Sequence, residues 1–124
     1  MGQDKADGRI DLRLRTKQFA LRVIRLFSAL PRAAEAQVIG KQLFRSGTSV
    51  GANFREAHRA RSDAEFVSKV GDCLKELDET CYWLELLIDA EIVAEDRLSP
   101  LLEECNQLIA VMTTIAKKVK ANAR

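Results

Sequence analysis

The sequence has few of the residues that break helices, bind metals or form disulfides. Its 124 residues include two prolines, one histidine and three cysteines. Cys73, Cys81 and Cys105 are odd in number, widely spaced and without a CxxC pair, which disfavours a disulfide framework or a zinc site. A di-iron centre in a helical bundle needs a Glu-x-x-His motif on each of two helices, and His58 is the one histidine. We therefore expect neither a metal nor a cofactor.

Long apolar runs are also missing. No stretch approaches the ~20 apolar residues of a membrane-spanning helix. Residues 1–11 are polar, unlike the apolar region of a secretory leader. Three cysteines without a disulfide pattern suit a reducing compartment. These features predict a cytoplasmic protein that makes no contact with a membrane.

Motifs that carry catalysis do not occur either. The phosphate-binding patterns GxGxxG and GxxxxGKS are absent. Acidic pairs such as Glu76 with Glu79, or Glu103 with Glu104, fall on faces that we expect to be solvated. The three cysteines fall on apolar stripes, where a small side chain serves packing. We therefore predict that the chain is not an enzyme and assign no catalytic residue.

Four segments with helical periodicity occupy nearly the whole chain, and strand-like alternation is absent. The first three are predicted over residues 9–30, 34–59 and 62–91. Segments of this length with short connections are typical of an antiparallel up-and-down four-helix bundle. The sequence thus predicts a single all-α domain over residues 9–122, preceded by a flexible N-terminus at residues 1–8.

The start of the fourth helix is ambiguous. Glu95 and Asp96 favour a helix N-terminus at that point, because carboxylates stabilise the positive end of the helix dipole. Ser99 followed by Pro100 would equally serve as a cap and first helical position four residues later. In either case Lys117, Lys118 and Lys120 fall near its C-terminus, where cations stabilise the negative end of the helix dipole.

The third helix has the clearest start signal. Ser62 and Glu65 stand in the spacing of a capping box. In that motif the serine hydroxyl accepts from the amide of residue 65, and the glutamate carboxylate accepts from the amide of residue 62. We therefore expect the third helix to begin at Ser62.

Each helix carries one apolar stripe whose members recur in steps of three and four residues, as packed helices require. We expect these stripes to form the core. Its predicted members are Leu12, Phe19, Val23, Leu26, Leu30, Ile39, Leu43, Ser46, Val50, Phe54, Ala57, Phe66, Val70, Cys73, Leu77, Cys81, Leu84, Ile88, Leu98, Leu101, Cys105, Leu108, Met112, Ile115 and Val119.

Two helices have a second apolar face that a single bundle does not bury. Leu14 and Leu21 lie opposite the stripe of helix 1, and Tyr82, Trp83 and Leu86 are predicted to point away from the stripe of helix 3. Connections could fold back over these residues, but the chain has few loop residues for that purpose. Clustered apolar residues on a second face favour self-association through helices 1 and 3.

Basic residues concentrate in the first half of the chain. Residues 1–62 contain 13 Lys and Arg against 5 Asp and Glu, whereas residues 63–124 contain 7 against 13. Such a division suits attraction between helices or subunits, or a basic face offered to RNA or DNA. The candidate nucleic-acid contacts are Arg9, Arg13, Lys17, Arg55, Arg59 and Arg61.

The segment from Arg45 to Asn53, RSGTSVGAN, followed by Glu56, resembles the signature of a bacterial four-helix-bundle family. That family is named for the protein encoded in intervening sequences of 23S ribosomal RNA. The third-helix pattern around Thr80, Tyr82 and Trp83 is similar too, and the likeness extends loosely to about Val119. The resemblance implies an up-and-down bundle assembled as a ring-like homopentamer, with no known catalysis and no settled role.

Related accessory proteins of diversity-generating retroelements resemble basic pentamers that bind nucleic acid and a reverse transcriptase. This chain departs from them with a net charge of only +2. The resemblance therefore leaves two functions open. The first is a non-enzymatic homo-oligomeric scaffold or adaptor, and the alternative is an RNA- or DNA-binding accessory protein, which would also contact a nucleic-acid enzyme.

By resemblance, the signature residues are Arg45, Ser46, Gly47, Gly51, Asn53 and Glu56. Glycines one turn apart let a neighbouring helix approach closely. Asn53 lies seven residues after Ser46, so the two are expected to share a polar contact inside the bundle. These features favour a structural role for the signature, with a ligand or RNA site as the alternative.

Overall fold

Residues 9–122 are described by a computed structural model of the chain, with side chains described from residue 11 onward. Four helices account for most of this range: α1 (Arg9–Ala29), α2 (Ala34–His58), α3 (Asp63–Asp89) and α4 (Glu95–Asn122). No strand occurs among these residues. The prediction of an all-α, single-domain fold with four helices is confirmed. Residues 1–8, predicted as a flexible N-terminus, lie outside the described range.

The ends of α1, α2 and α3 fall within two residues of their predicted positions, and α4 takes the first of its two predicted starts. That helix begins at Glu95, so Pro100 lies inside it rather than at its first position. Because Pro100 is still in the second turn, its missing amide removes a single early hydrogen bond. The carboxylates of Glu95 and Asp96 therefore mark the start, and the Ser99–Pro100 alternative is wrong.

The start of α3 follows the predicted cap in part. The hydroxyl of Ser62 accepts a hydrogen bond from the amide of Glu65, at 3.1 Å. The carboxylate of Glu65 accepts from the amide of Arg61, at 3.3 Å, and not from the amide of Ser62 as predicted. The carboxylate still satisfies a free amide at the helix entry, one residue earlier than expected.

The core is built mainly from the predicted stripes. All seven predicted positions of α4, from Leu98 to Val119, are buried. In α3 the last core position is Leu87, which is fully buried, whereas Ile88 is only partly buried. The stripe steps by three residues from Leu84, because 3.6 residues per turn rotate the buried face slowly around the helix.

The helices meet in chain order. Helix α2 packs against both α1 and α3, and α3 packs against α4, whereas α1 meets α4 over a short stretch only. Among the described residues, the backbones of α1 and α3 do not approach each other, and neither do those of α2 and α4, so each pair is diagonal. No helix in the range 9–122 is long and apolar enough to cross a membrane.

An ion pair links α1 and α4, the neighbouring helices that meet over the shortest stretch. The guanidinium of Arg15 on α1 donates to both carboxylate oxygens of Glu104 on α4, at 2.8 and 3.2 Å. Both side chains are about three-quarters covered. The hydrogen bond to Glu104 raises the pKa of the Arg15 guanidinium above its ordinary value. A two-pronged arginine–carboxylate contact fixes both distance and orientation, so it closes the bundle where apolar packing is thinnest.

Candidate functional site

The two signature glycines form the contact between α2 and α1. A Cβ atom on Gly47 would lie 2.7 Å from Cγ2 of Val23, a β-branched core side chain with little freedom to move. A Cβ atom on Gly51 would lie 3.4 Å from the carbonyl oxygen of Thr16, an ordinary contact distance. The absence of a side chain at position 47 therefore determines how closely α1 approaches α2, and position 51 is less restrictive.

The hydroxyl of the signature residue Ser46 meets α3 inside the core. Its Oγ lies 2.9 Å from Oγ1 of Thr80, and neither side chain is exposed. Thr80 also donates to the carbonyl of Glu76, one turn earlier on α3, at 2.7 Å. Ser46 Oγ likewise lies 3.3 Å from the carbonyl of Leu43 on its own helix. Each buried hydroxyl thus has one partner on its own helix and one on the facing helix, where an unpaired hydroxyl would cost ~1–3 kcal/mol.

The predicted contact between Ser46 and Asn53 is wrong. Asn53 is half-buried, and no described residue forms a hydrogen bond with its side chain. Seven residues are close to two full turns, so both positions do lie along one side of α2, but about 10 Å apart along the axis. The partner of a buried hydroxyl has to come from the facing helix.

Two charged signature residues join α2 to the surface of α3. The guanidinium of Arg45 lies 2.9 Å from the carboxylate of Glu79 and 3.4 Å from that of Glu76. At the other end of the interface, Glu56 accepts from the ammonium of Lys69 at 2.8 Å, and this hydrogen bond raises the pKa of Lys69. Both contacts are solvated, so they orient the helices more than they stabilise them.

An apolar face runs along the outside of α1. Leu14 is 56% exposed and Leu21 is 41% exposed, and Ile24 extends the same face by another turn at 37%. The spacing of seven and three residues aligns these side chains on one side of the helix. The second apolar face of α1 is therefore present, and it is one residue longer than the sequence indicated.

The second apolar face of α3 is smaller than predicted. Tyr82 is exposed, whereas Trp83 and Leu86 are half-buried. The indole of Trp83 packs against the core, so the prediction that it points away from the core is wrong. Thr80 and Leu87 both lie in the core. Because position 83 is three residues after the first and four before the second, it lies on the same side of α3 as these two buried residues.

The indole of Trp83 has an unusual environment. Its Nε1–H is buried and has no hydrogen-bond partner within the described chain. The ring of Tyr82 meets it edge to face, with ring centroids 5.0 Å apart. This arrangement is a favoured one for two aromatic rings and adds to the burial energy. Tyr82 and Trp83 therefore form one aromatic unit, with only the tyrosine offered to solvent.

Five predicted nucleic-acid contacts can be placed, and Arg9 lies outside the described side chains. Arg13 and Lys17 on α1 are exposed, as are Arg55, Arg59 and Arg61 near the end of α2. None of the five forms a salt bridge with another described residue.

The packing of the two helices brings most of these residues to one end of the bundle. Gly51 lies on Thr16, next to Lys17 and one turn from Arg13, and Arg55 follows Gly51 by one turn. These exposed cationic residues therefore lie at one end of the α1–α2 pair, and we refer to Arg13, Lys17 and Arg55 as the cationic cluster; none of the three forms a salt bridge with a described acidic residue.

Groups suited to catalysis are not brought together. Among residues 11–122, no three His, Cys, Asp or Glu side chains are arranged to hold a metal ion. His58 is half-buried in the last turn of α2. Burial raises the pKa of the Cys73 thiol to about 12, which keeps it protonated and unreactive.

Sequence reasoning missed an aromatic pair on the α1–α2 surface. Phe27 and Phe44 meet edge to face with centroids 5.2 Å apart. With Lys41 they line an open surface pocket of ≈ 340 Å³. Helical periodicity assigned neither phenylalanine to a core stripe. Two aromatic residues left outside the stripes of neighbouring helices were therefore the signal that could have indicated this pair. The pocket extends the apolar surface near the C-terminal end of α1.

Comparisons with known proteins agree on one family. The family model described as 23S rRNA-intervening sequence protein matches residues 10–114. A crystal structure from Bacteroides thetaiotaomicron, described as a protein with unknown function from the S23 ribosomal protein family, is similar with a TM-score of 0.82 and 36% sequence identity. That match covers 88% of this chain and 97% of the other. No functionally curated protein matches the chain.

Proposed function

The chain belongs to the 23S rRNA-intervening sequence protein family, and we propose that it acts as a non-enzymatic homo-oligomeric scaffold in the cytoplasm. The observation that carries the proposal is the exposed apolar face of α1, formed by Leu14, Leu21 and Ile24. Three aliphatic side chains aligned on the outside of a small domain favour contact with another protein surface. A second copy of the chain supplies such a surface through Tyr82 on α3.

The subunit in this proposal is an antiparallel up-and-down bundle. Contacts between α2 and α3 support it, since Arg45 lies near Glu79 whereas Glu56, eleven residues later, lies near Lys69. Opposed directions bring increasing positions on one helix against decreasing positions on the next. The short connections between consecutive helices allow this topology.

The position of the two apolar faces favours a ring. Helix α1 and helix α3 are diagonal in the bundle, so Leu14 and Tyr82 lie on different sides of the subunit. A contact between α1 of one copy and α3 of the next is heterologous, and such contacts close into a cyclic assembly when the rotation allows it. We propose a homopentamer, the ring that the family resemblance implies.

The test is the mass of the assembly in solution. Light scattering on a size-exclusion column should give about five times the mass of the 13.9 kDa chain. Nucleic acid in the peak is followed by the ratio of absorbance at two wavelengths. A five-fold mass without nucleic acid supports the scaffold. A monodisperse monomer at micromolar concentration would refute the assembly and leave the α1 face without its proposed occupant.

The cationic cluster favours a second function, an RNA- or DNA-binding accessory protein. Arg13, Lys17 and Arg55 are exposed at one end of the α1–α2 face and have no acidic partner among the described residues. A ring would repeat this cluster in each subunit, and repeated weak phosphate contacts multiply affinity. A salt titration of binding to single-stranded and duplex RNA tests it. Absence of binding at low salt would exclude this function.

A further inference from the structure

Two of the three cysteines form a pair that the sequence does not reveal. Cys81 on α3 and Cys105 on α4 are separated by 24 positions, yet their Sγ atoms lie 2.9 Å apart. A disulfide needs ~2.05 Å between sulfurs. Closure of the remaining gap requires a movement of less than ~1 Å, within the reach of side-chain adjustment between two packed helices.

The two thiols differ in their surroundings. Cys81 is 7% exposed, and its Sγ lies 3.7 Å from Oδ1 of the exposed Asn106, at the edge of the interface. Cys105 is fully buried, and its Sγ lies 3.2 Å from the carbonyl of Leu77. A small oxidant therefore reaches Cys81 first, and Cys105 is held behind it as the second thiol.

The electrostatics agree with this order. The hydrogen bond shared with Cys105 lowers the pKa of Cys81, which increases its thiolate fraction. The same contact, together with burial, raises the pKa of Cys105. A thiolate is the form that attacks an oxidant, so Cys81 is the nucleophile of the pair. Cys73 is buried elsewhere in the core, with its thiol 3.6 Å from the carbonyl of Val50.

We propose that Cys81 and Cys105 form a reversible oxidation site whose co-substrate is a hydroperoxide, with hydrogen peroxide as the smallest member. The site rests on the geometry of one subunit and does not depend on the oligomer or on nucleic-acid binding. It adds a redox-controlled covalent bond between α3 and α4 to a bundle whose described contacts are otherwise non-covalent.

The chemistry balances in two steps. The Cys81 thiolate attacks one oxygen of hydrogen peroxide, the O–O bond breaks, and a sulfenic acid and hydroxide form; the hydroxide takes up the thiol proton to give water. The sulfur of Cys105 then attacks the sulfenic sulfur, the S–O bond breaks, and a second water leaves. Two thiols are oxidised by two electrons and one peroxide is reduced to two waters. A dithiol reductant reverses the bond by exchange.

The experiment counts thiols in the folded full-length chain. Reduced protein is treated with hydrogen peroxide, unfolded, alkylated and weighed by mass spectrometry. We expect the number of alkylated cysteines to fall from three to one. The mass of the chain before alkylation should fall by two hydrogen atoms, about 2 Da. Trypsin should release peptide 76–97 bound to peptide 98–117, since Arg97 separates the two cysteines. Dithiothreitol should restore three thiols.

Cys73→Ala is the matched control and should form the same linked peptides. Cys105→Ala should form none and should accumulate a sulfenic acid at Cys81 that dimedone traps. If Cys105→Ala does not fold, the peptide map of the wild type and Cys73→Ala still decides. Three thiols retained after peroxide treatment would overturn the proposal, as would peptide 76–97 linked to itself between two copies.

Discussion

The hydroxyls of Ser46 and Thr80 lie 2.9 Å apart between α2 and α3, and both residues are fully buried. Around them the interface is apolar, with Leu43 and Leu77 also fully buried. A polar pair inside an apolar seam penalises any sliding of one helix along the other, because each hydroxyl would lose its partner on the facing helix and keep only the carbonyl of its own helix. The pair therefore helps to define the register of α2 against α3.

Removing one hydroxyl should destabilise the subunit more than removing both. We expect Thr80→Val to lower the free energy of unfolding by ~1–2 kcal/mol, because Ser46 loses its partner on α3 while the volume is kept. The double variant with Ser46→Ala should recover part of this loss. Urea unfolding of the two single variants and the double variant gives the coupling. A coupling energy near zero would show that the two hydroxyls do not act together.

The glycines of α2 should respond differently to alanine. Gly47→Ala should destabilise by ~1–3 kcal/mol, because the new methyl overlaps Val23 in a packed core. Gly51→Ala should be close to neutral. The new methyl would lie 3.4 Å from the carbonyl oxygen of Thr16, the short end of ordinary contact, and the small cost of this contact offsets the gain in helix propensity. Gly71→Ala in α3 is the matched control, with open space at its Cβ, and should stabilise by up to ~1 kcal/mol. Thermal unfolding ranks the three. Equal effects at positions 47 and 71 would contradict the close approach.

Loss of the Arg15–Glu104 pair should loosen α1 specifically. Arg15→Met keeps the aliphatic stem and removes the bond to α4, at a cost of no more than ~1 kcal/mol in a partly solvated pair. Hydrogen exchange should quicken in α1 more than in α3. The charge reversal of both residues should restore slow exchange. Arg45→Met, at a more exposed pair between α2 and α3, serves as control and should leave α1 unchanged.

Acidic residues on the α1 face should dissociate the assembly into monomers. We expect Leu14→Glu with Leu21→Glu to give a folded monomer, because two carboxylates cannot be buried in an apolar interface without partners. Val38→Glu is the control, since Val38 on α2 is 65% exposed and lies off that face. Light scattering and circular dichroism report mass and folding. If the double variant keeps the mass of the wild-type assembly, the interface does not include the α1 face.

The cationic cluster should control any affinity for nucleic acid. Arg13→Ser with Arg55→Ser should weaken binding. The magnitude of the slope of log affinity against log salt should fall by ~2 for each subunit that contacts the nucleic acid, because two phosphate contacts are lost. Lys117→Ser with Lys118→Ser, at two exposed positions of α4, removes the same charge outside the cluster and is the matched control. Fluorescence anisotropy at several salt concentrations gives both slopes. If the cluster variant and the control lose the same affinity per removed charge, binding depends on net charge and not on the cluster.

Local pattern was sufficient for the helices and for most of the core. The stripe of α4 was read correctly from Leu98 to Val119, because each member follows from the one before it by helical periodicity. The same reasoning misplaced Ile88 and Trp83. A small error in phase grows along a helix of 27 residues, and the buried face near its end lies one position away from the extrapolated one.

Contacts between helices were not available from the sequence. Ser46 with Thr80 and Cys81 with Cys105 are separated by 34 and 24 positions, and each contact depends on the register between two helices. Periodicity places each residue on a face but does not say which turn it meets. The α1 face required no such information, because exposure of Leu14 and Leu21 follows from the position of the stripe in their own helix.

The edge-to-face pair of Tyr82 and Trp83 gives the protein its own optical reporter. The chain has a single tryptophan and a single tyrosine, and the structure brings their rings to 5.0 Å. Light absorbed by the tyrosine is therefore passed to one indole, whose emission comes from one known place on α3. Because Trp83 is half-buried beside an exposed ring, the wavelength of that emission reports whether water or another surface covers this part of the helix.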